Sequence, residues 1–246
     1  MRAFIFDVDH VVMNFNEQQA LSWREALRHF CLSVPLETIR RQLGERGQES
    51  VQRFFPASKL SQYGSAFIDH VARVFRDKYQ ERIQVRSEMY SLIESLLDHG
   101  MKIGLVSSDQ QTTLAGDRRL LRLESFLKTK ARFAKSNSNQ ALADVLTDVL
   151  ICQEVSAPED VVMICATPAL ARVAQAMGLS VIGLTSSGFE KAELRAAGCD
   201  EVCSTPKELL GCINAAGWLN SDLPKADLAP SPVPTLQHLN QWALKF

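Results

Sequence analysis

The sequence predicts an α/β protein: a doubly wound parallel sheet, interrupted after its first strand by a helical insertion. Three observations predict it. Short, continuous apolar runs recur at AFIFDV (3–8), KIGLVSS (102–108), VVMICA (161–166) and SVIGLTSS (180–187). Such runs suit strands of a parallel sheet covered on both faces. Amphipathic helical segments alternate with these runs from residue 88 to about 214, which is the βα pattern. Residues 17–85 carry no strand-like run and read as helical throughout.

The first run ends in two acids, Asp7 and Asp9. The insertion follows with QQALSWREALRHF (18–30), PLETIRRQLG (35–44) and FIDHVARVFRDKYQERI (67–83), and Trp23, Leu27 and Phe30 share a face of the first. An insertion at this point is expected over the carboxyl ends of the strands, where open α/β sheets bind ligands. In the helix predicted over 88–99, Met89, Leu92, Ile93, Leu96 and Leu97 share a face. Ser87 is placed to cap its start and Gly100 to end it. PALARVAQAMG (168–178) has proline in its first turn and glycine at its end, and FEKAELRAAG (189–198) also ends in glycine. The expected organisation is a core of residues 1–16 and 86–216, a helical insertion over 17–85, and a tail over 217–246. In that tail a Pro-, Ser- and Asp-rich linker precedes a short amphipathic helix carrying Leu236, Leu239 and Trp242. The helix is expected to dock on the body; the alternative is that it binds a protein partner.

Composition narrows the function classes. The chain has 246 residues, 46% hydrophobic and 22% charged, enough to bury a sizeable core. Its 27 basic and 28 acidic residues make no electrostatic case for nucleic acid or an anionic membrane surface. No apolar run is long enough to span a membrane, and the N-terminal residues do not read as a secretory signal. A cytoplasmic protein is expected. The six cysteines form no C-x-x-C pair and are expected to be reduced thiols.

Asp7 and Asp9 lie one residue apart, and on a strand they would point to the same side. Two close carboxylates repel unless a cation neutralises them. One could act as a nucleophile and the other as a proton donor and acceptor. The second apolar run ends in Ser107 and Ser108, hydroxyls suited to an anion, and Lys135 follows in FAKSNSN. A nucleophilic acid, a second acid, a hydroxyl and a lysine at one sheet edge suit phosphoryl transfer. His10, a lone histidine, reads as a hydrogen-bonded turn residue.

These motifs resemble those of the haloacid dehalogenase-like hydrolases, in particular phosphoglycolate phosphatase-like and β-phosphoglucomutase-like members. The family pattern D-x-D-G-[TV]-[LV] is met by Asp7-Val8-Asp9-His10-Val11-Val12, its strand ending in Ser or Thr by GLVSSD, and its lysine by AKSNSN. RRQLGERGQESVQRFF (40–55) resembles the family's cap with its glycine-containing specificity loop, here Arg41, Gly44 and Arg46. The resemblance covers about residues 1–214. It implies a Rossmann-like parallel sheet core with a helical cap domain inserted after the first strand. It also implies a phosphatase acting on a small phosphorylated metabolite. Asp7 would be the nucleophile, Asp9 the acid/base, and Ser107, Ser108 and Lys135 the phosphate holders. Mg²⁺ would be the cofactor, on Asp7 and Asp9. Asp9 favours phosphate chemistry over dehalogenation.

One motif departs. The family's fourth strand ends in acids that hold Mg²⁺, whereas ICATPALARVAQAMG places Cys165 and Ala166 there. Asp109, just after Ser107-Ser108, is the alternative ligand. Without the cation, a phosphate dianion meets two aspartates with Lys135 alone to offset the repulsion. That costs several kcal/mol at the transition state. The implied function is therefore a weak or atypical phosphatase, and the alternative is a catalytically inactive relative that binds a ligand or protein partner.

Overall fold

The structure, a computed structural model, describes residues 3–46, 51–55, 57–107, 132–133, 139–152 and 157–215. Strands β1 (Ala3–Asp7), β2 (Lys102–Ser107), β3 (Arg132–Phe133), β4 (Val161–Cys165), β5 (Ser180–Leu184) and β6 (Glu201–Cys203) form one sheet, in the order β3-β2-β1-β4-β5-β6. Every pairing is parallel.

The continuous apolar runs are explained by two buried faces. Phe4, Phe6, Ile103, Leu105, Val162 and Ile164 belong to one core cluster; Ala3, Ile5, Val106, Val161 and Met163 belong to the other. Side chains alternate between faces with period two, so only an unbroken apolar strand satisfies both. Helix α5 (Ser87–Asp98) covers the first face through Leu92 and Leu96, with Ile213 of α9 (Leu209–Ala215). Helices α6 (Asn139–Cys152), α7 (Pro168–Ala176) and α8 (Lys191–Ala196) cover the second through Leu146, Ala171 and Leu194. At Gly104 a Cβ would stand 2.5 Å from Val149 Cγ1, so the glycine lets α6 lie close on β2.

Between β1 and β2 the chain is helical: α1 (Phe15–His29), α2 (Leu36–Arg46), α3 (Val51–Phe54) and α4 (Ala57–Val74), then a π-type turn at Phe75–Tyr79 and a 3₁₀ turn at Gln80–Arg82. These helices have their own core, built on Trp23, Leu27, Ile39, Phe54, Phe55 and Phe67. Trp23 and Phe67 meet edge to face at 5.3 Å, a favoured aromatic arrangement. The two connections to the sheet run side by side. Met13 bridges Val85, the Asn14 amide donates to the Gln84 carbonyl at 3.1 Å, and the Arg86 amide donates to the Val12 carbonyl at 3.0 Å.

The longer helical stretch expected around 67–83 is α4, from Ala57, with the two turns that follow it. Two local readings shift. β3 and β6 are too short to show as runs. The thiols are not all reduced: β6 and α9 bring Cys203 and Cys212 to a Cα separation of 6.6 Å, and they are joined as a disulfide. No helix of the described residues is long and apolar enough to cross a membrane. The tail over 217–246 lies outside the described residues.

Candidate active site

The strand order reverses between β1 and β4, the topological switch point where such sheets leave a crevice at their carboxyl edge. Asp7, the last residue of β1, stands there, almost fully buried. The chain then leaves the strand in a π-type turn, Val8–Val12, and Asp7 caps it. Its Oδ1 accepts the amides of Asp9 at 3.1 Å and His10 at 3.2 Å. Such bonds satisfy amides that a helical start leaves unpaired. Asp9 therefore comes beside Asp7 through this turn rather than through strand pleating.

Ser107 ends β2 one residue past Val106, the partner of Asp7 in the sheet. Its buried hydroxyl donates to Asp9 Oδ2 at 2.6 Å. The structure thus joins three expected residues, Asp7, Asp9 and Ser107, with the serine hydroxyl engaged by Asp9. Ser108, Asp109 and Lys135 lie outside the described residues.

His10 is the hydrogen-bonded turn residue expected, with its amide on Asp7 Oδ1, and its imidazole also reaches Asp7. Nδ1 lies 3.2 Å from both oxygens of Asp7. Asp7, Asp9 and His10 each offer one donor atom, all within 4.8 Å of one another. The available signal was a polar residue directly after D-x-D. Its weight was hidden because an irregular turn gives no period from which to read a side chain's direction.

Opposite them, β4 pairs Ile164 with Phe6, which brings Cys165 to the level of Asp7. Cys165 and Ala166 are fully buried. A hydrogen bond with Cys199 pushes the Cys165 thiol well up, and burial and the nearby Asp7 charge add to the rise. The thiol therefore stays protonated at neutral pH and is a poor metal ligand. Mg²⁺ takes hard oxygen ligands in near-octahedral array. Among the described residues the donors are two carboxylates and an imidazole nitrogen, with a thiol and a methyl on the β4 side. They do not fit Mg²⁺.

The expected specificity residues sit on α2, at its seam with the sheet domain. Arg41 pairs with Glu193 of α8, and its guanidinium lies 5.5 Å over the Phe189 ring. A Cβ on Gly44 would stand 3.0 Å from Phe189 Cε2 and 3.5 Å from Thr167 Cγ2. The loop they touch also reaches the site, for the Ser186 hydroxyl donates to the His10 carbonyl at 3.1 Å. Arg46 ends α2, and its side chain is outside the described residues.

Residues 4–184 match the family model of the haloacid dehalogenase-like hydrolases. No curated protein matches the chain. Among solved structures, a hydrolase from Pseudomonas syringae is 18% identical, with 87% of this chain and 99% of that chain covered and a TM-score of 0.65. A hydrolase of the same family from Deinococcus radiodurans R1, solved with bound phosphate and sodium, is 18% identical over 89% of this chain and 98% of that one, with a TM-score of 0.69. A predicted phosphatase from Clostridium acetobutylicum is 20% identical over 87% and 99%, with a TM-score of 0.62. At these identities the likeness is one of fold.

Proposed function

The chain belongs to the haloacid dehalogenase-like hydrolase family, and from that premise we propose that it hydrolyses a small phosphate monoester through an aspartyl-phosphate on Asp7. The observation that carries the reading is the pairing at the switch point: Asp7 held by two backbone amides, and Asp9 beside it held by the Ser107 hydroxyl. A carboxylate oxygen of Asp7 attacks phosphorus, and the bond from phosphorus to the leaving oxygen breaks. Protonated Asp9 gives its proton to that oxygen. Asp9, now a carboxylate, takes a proton from water as the water attacks the phosphorus of the aspartyl-phosphate. Asp7 and inorganic phosphate are released and Asp9 is again protonated. Ser107 fixes the Asp9 carboxyl for both transfers. Lys135 is assigned to the phosphoryl oxygens by the motif alone. The substrate proposed is a phosphorylated metabolite in the cytoplasm, and no step is routed through Mg²⁺.

The buried thiol and methyl at the end of β4 favour a second reading, a catalytically silent relative that keeps the cleft for binding a ligand or protein partner. Hydrolysis of a generic aryl phosphate, with and without added divalent ions, separates the two. Slow turnover in the wild type that Asp7→Asn abolishes supports the hydrolase. Absence of turnover in the wild type, with a gain in Ala166→Asp on adding Mg²⁺, leaves the silent reading standing.

A further inference from the structure

We infer that Cys203 and Cys212 form a reversible thiol–disulfide site, oxidised and reduced by small-molecule thiols of the glutathione class, that sets how firmly α9 is held on the sheet. The two cysteines are joined across a Cα separation of 6.6 Å and stand nine residues apart in the chain. One ends β6, a strand of three residues at the edge of the sheet, and the other lies within α9. A helix of seven residues does not persist alone in water. α9 is therefore held from outside, by the burial of Leu209, Leu210 and Ile213 against Ile182 and Leu184 and by the disulfide. The apolar contacts remain when the bond opens, so the corner has two folded states that differ in firmness.

Three observations make the bond reversible rather than a fixed staple. Cys203 is buried but Cys212 is only partly so, which leaves one sulfur open to attack. Cys165 and Cys199, by contrast, are buried thiols. The reduced form also has a place for its proton, because Cys203 Sγ lies 4.0 Å from the Glu208 carbonyl oxygen, within reach of an S–H donor. The loop between the cysteines keeps its own bonds: the Ser204 amide donates to Glu208 Oε2 at 2.9 Å, and the Glu208 amide to the Thr205 carbonyl at 3.1 Å. The two sulfurs thus stay close after reduction, ready to rejoin. In the reductive direction an external thiolate attacks the Cys212 sulfur. The S–S bond breaks, and its electron pair leaves on the Cys203 sulfur, which takes a proton. A second thiolate attacks the external sulfur of the mixed disulfide and frees Cys212 as a thiol. Two external thiols are oxidised to one disulfide, and the protein gains two electrons and two protons. The inference stands without the hydrolase reading, because no step uses Asp7 or Asp9.

The test equilibrates the full-length protein, from both the oxidised and the reduced side, in a series of reduced to oxidised glutathione ratios. Free thiols are trapped by alkylation and counted by peptide mass. The expected result is that Cys203 and Cys212 gain and lose their labels together, at the same ratio from either side. Labelling of both at every ratio, or protection of both even in the most reducing mixture, overturns the inference. Amide exchange is then compared between the oxidised protein and the protein held in excess dithiothreitol. Exchange across residues 204–215 is expected to be at least about tenfold faster in the reduced protein, with β1 and β4 unchanged. Cys203→Ser and Cys212→Ser should exchange like the reduced wild type whatever the redox state, with circular dichroism establishing that each folds. Should the buried Cys203→Ser not fold, the half-buried Cys212→Ser decides. Equal exchange in the two states of the wild type, or a redox response that persists in Cys212→Ser, also overturns it.

Discussion

Ser107 shows how much rests on single side chains at the crevice. Its hydroxyl is the donor to Asp9 Oδ2, in a place water does not reach. Ser107→Ala is expected to cost about 1–3 kcal/mol, because it strands a buried carboxylate oxygen; urea unfolding measures it. Gly104 works through absence. A Cβ there would overlap Val149 Cγ1, so Gly104→Ala should lower stability by about 1–3 kcal/mol through overpacking, also visible in urea unfolding. His70 carries a pH dependence. Its ring stacks on His29 at 4.2 Å, with Arg73 and Lys78 adding positive charge and Glu25 opposing them. Burial, then the His29 charge, then Arg73 lower its pKa from the ordinary histidine value of 6.5. The folded state therefore binds fewer protons than the unfolded chain below that pH. The stabilisation is full above it and is lost as pH falls. Melting temperature should drop between pH 7 and 5 more steeply in the wild type than in His70→Asn. Equal slopes would remove this account.

At the scale of elements, the seam between α2 and the β5–α8 loop governs the approach to the site. The Arg41–Glu193 pair is substantially exposed, and a pair of that kind contributes about 0–1 kcal/mol. Apolar contact carries more: Gly44 admits the Phe189 ring, and Phe189 is itself buried in the sheet core. Gly44→Val is therefore expected to lift α2 from the loop while leaving the sheet intact. Amide exchange should rise across residues 185–189 and stay unchanged in β1 and β4. Uniform change across the sheet would show that the seam does not open separately. Glu193 has a second duty, since its other oxygen accepts the Glu190 amide at 2.9 Å in a capping box at the start of α8. Glu193→Gln, which can still cap, then separates the seam from the cap.

Across the whole molecule, topology explains why D-x-D means chemistry here. The order β3-β2-β1-β4-β5-β6 puts β1 at the centre and opens the crevice beside it, so the residues ending β1, β2 and β4 face one place. The apolar run lengths, the helix-ending glycines and the helical stretch before β2 are local properties. Strands β1, β2, β4 and β5, the all-helical character of the insertion and the candidacy of Asp7, Asp9 and Ser107 were accordingly legible from the amino-acid order alone. That Cys165 and Ala166 stand where the family pattern has acids was also legible, through the resemblance. Other features depend on which surfaces meet. His10 lies against Asp7 because an irregular turn redirects it; Cys203 meets Cys212 because α9 folds back on β6. Arg41 lies over the Phe189 ring and pairs with Glu193, 152 residues away. The sequence by itself determined the elements and the chemical inventory, since periodicity and residue type act over a few neighbours. Only the tertiary structure decided which groups touch, since those contacts join segments whose proximity exists only once the sheet and the insertion have packed.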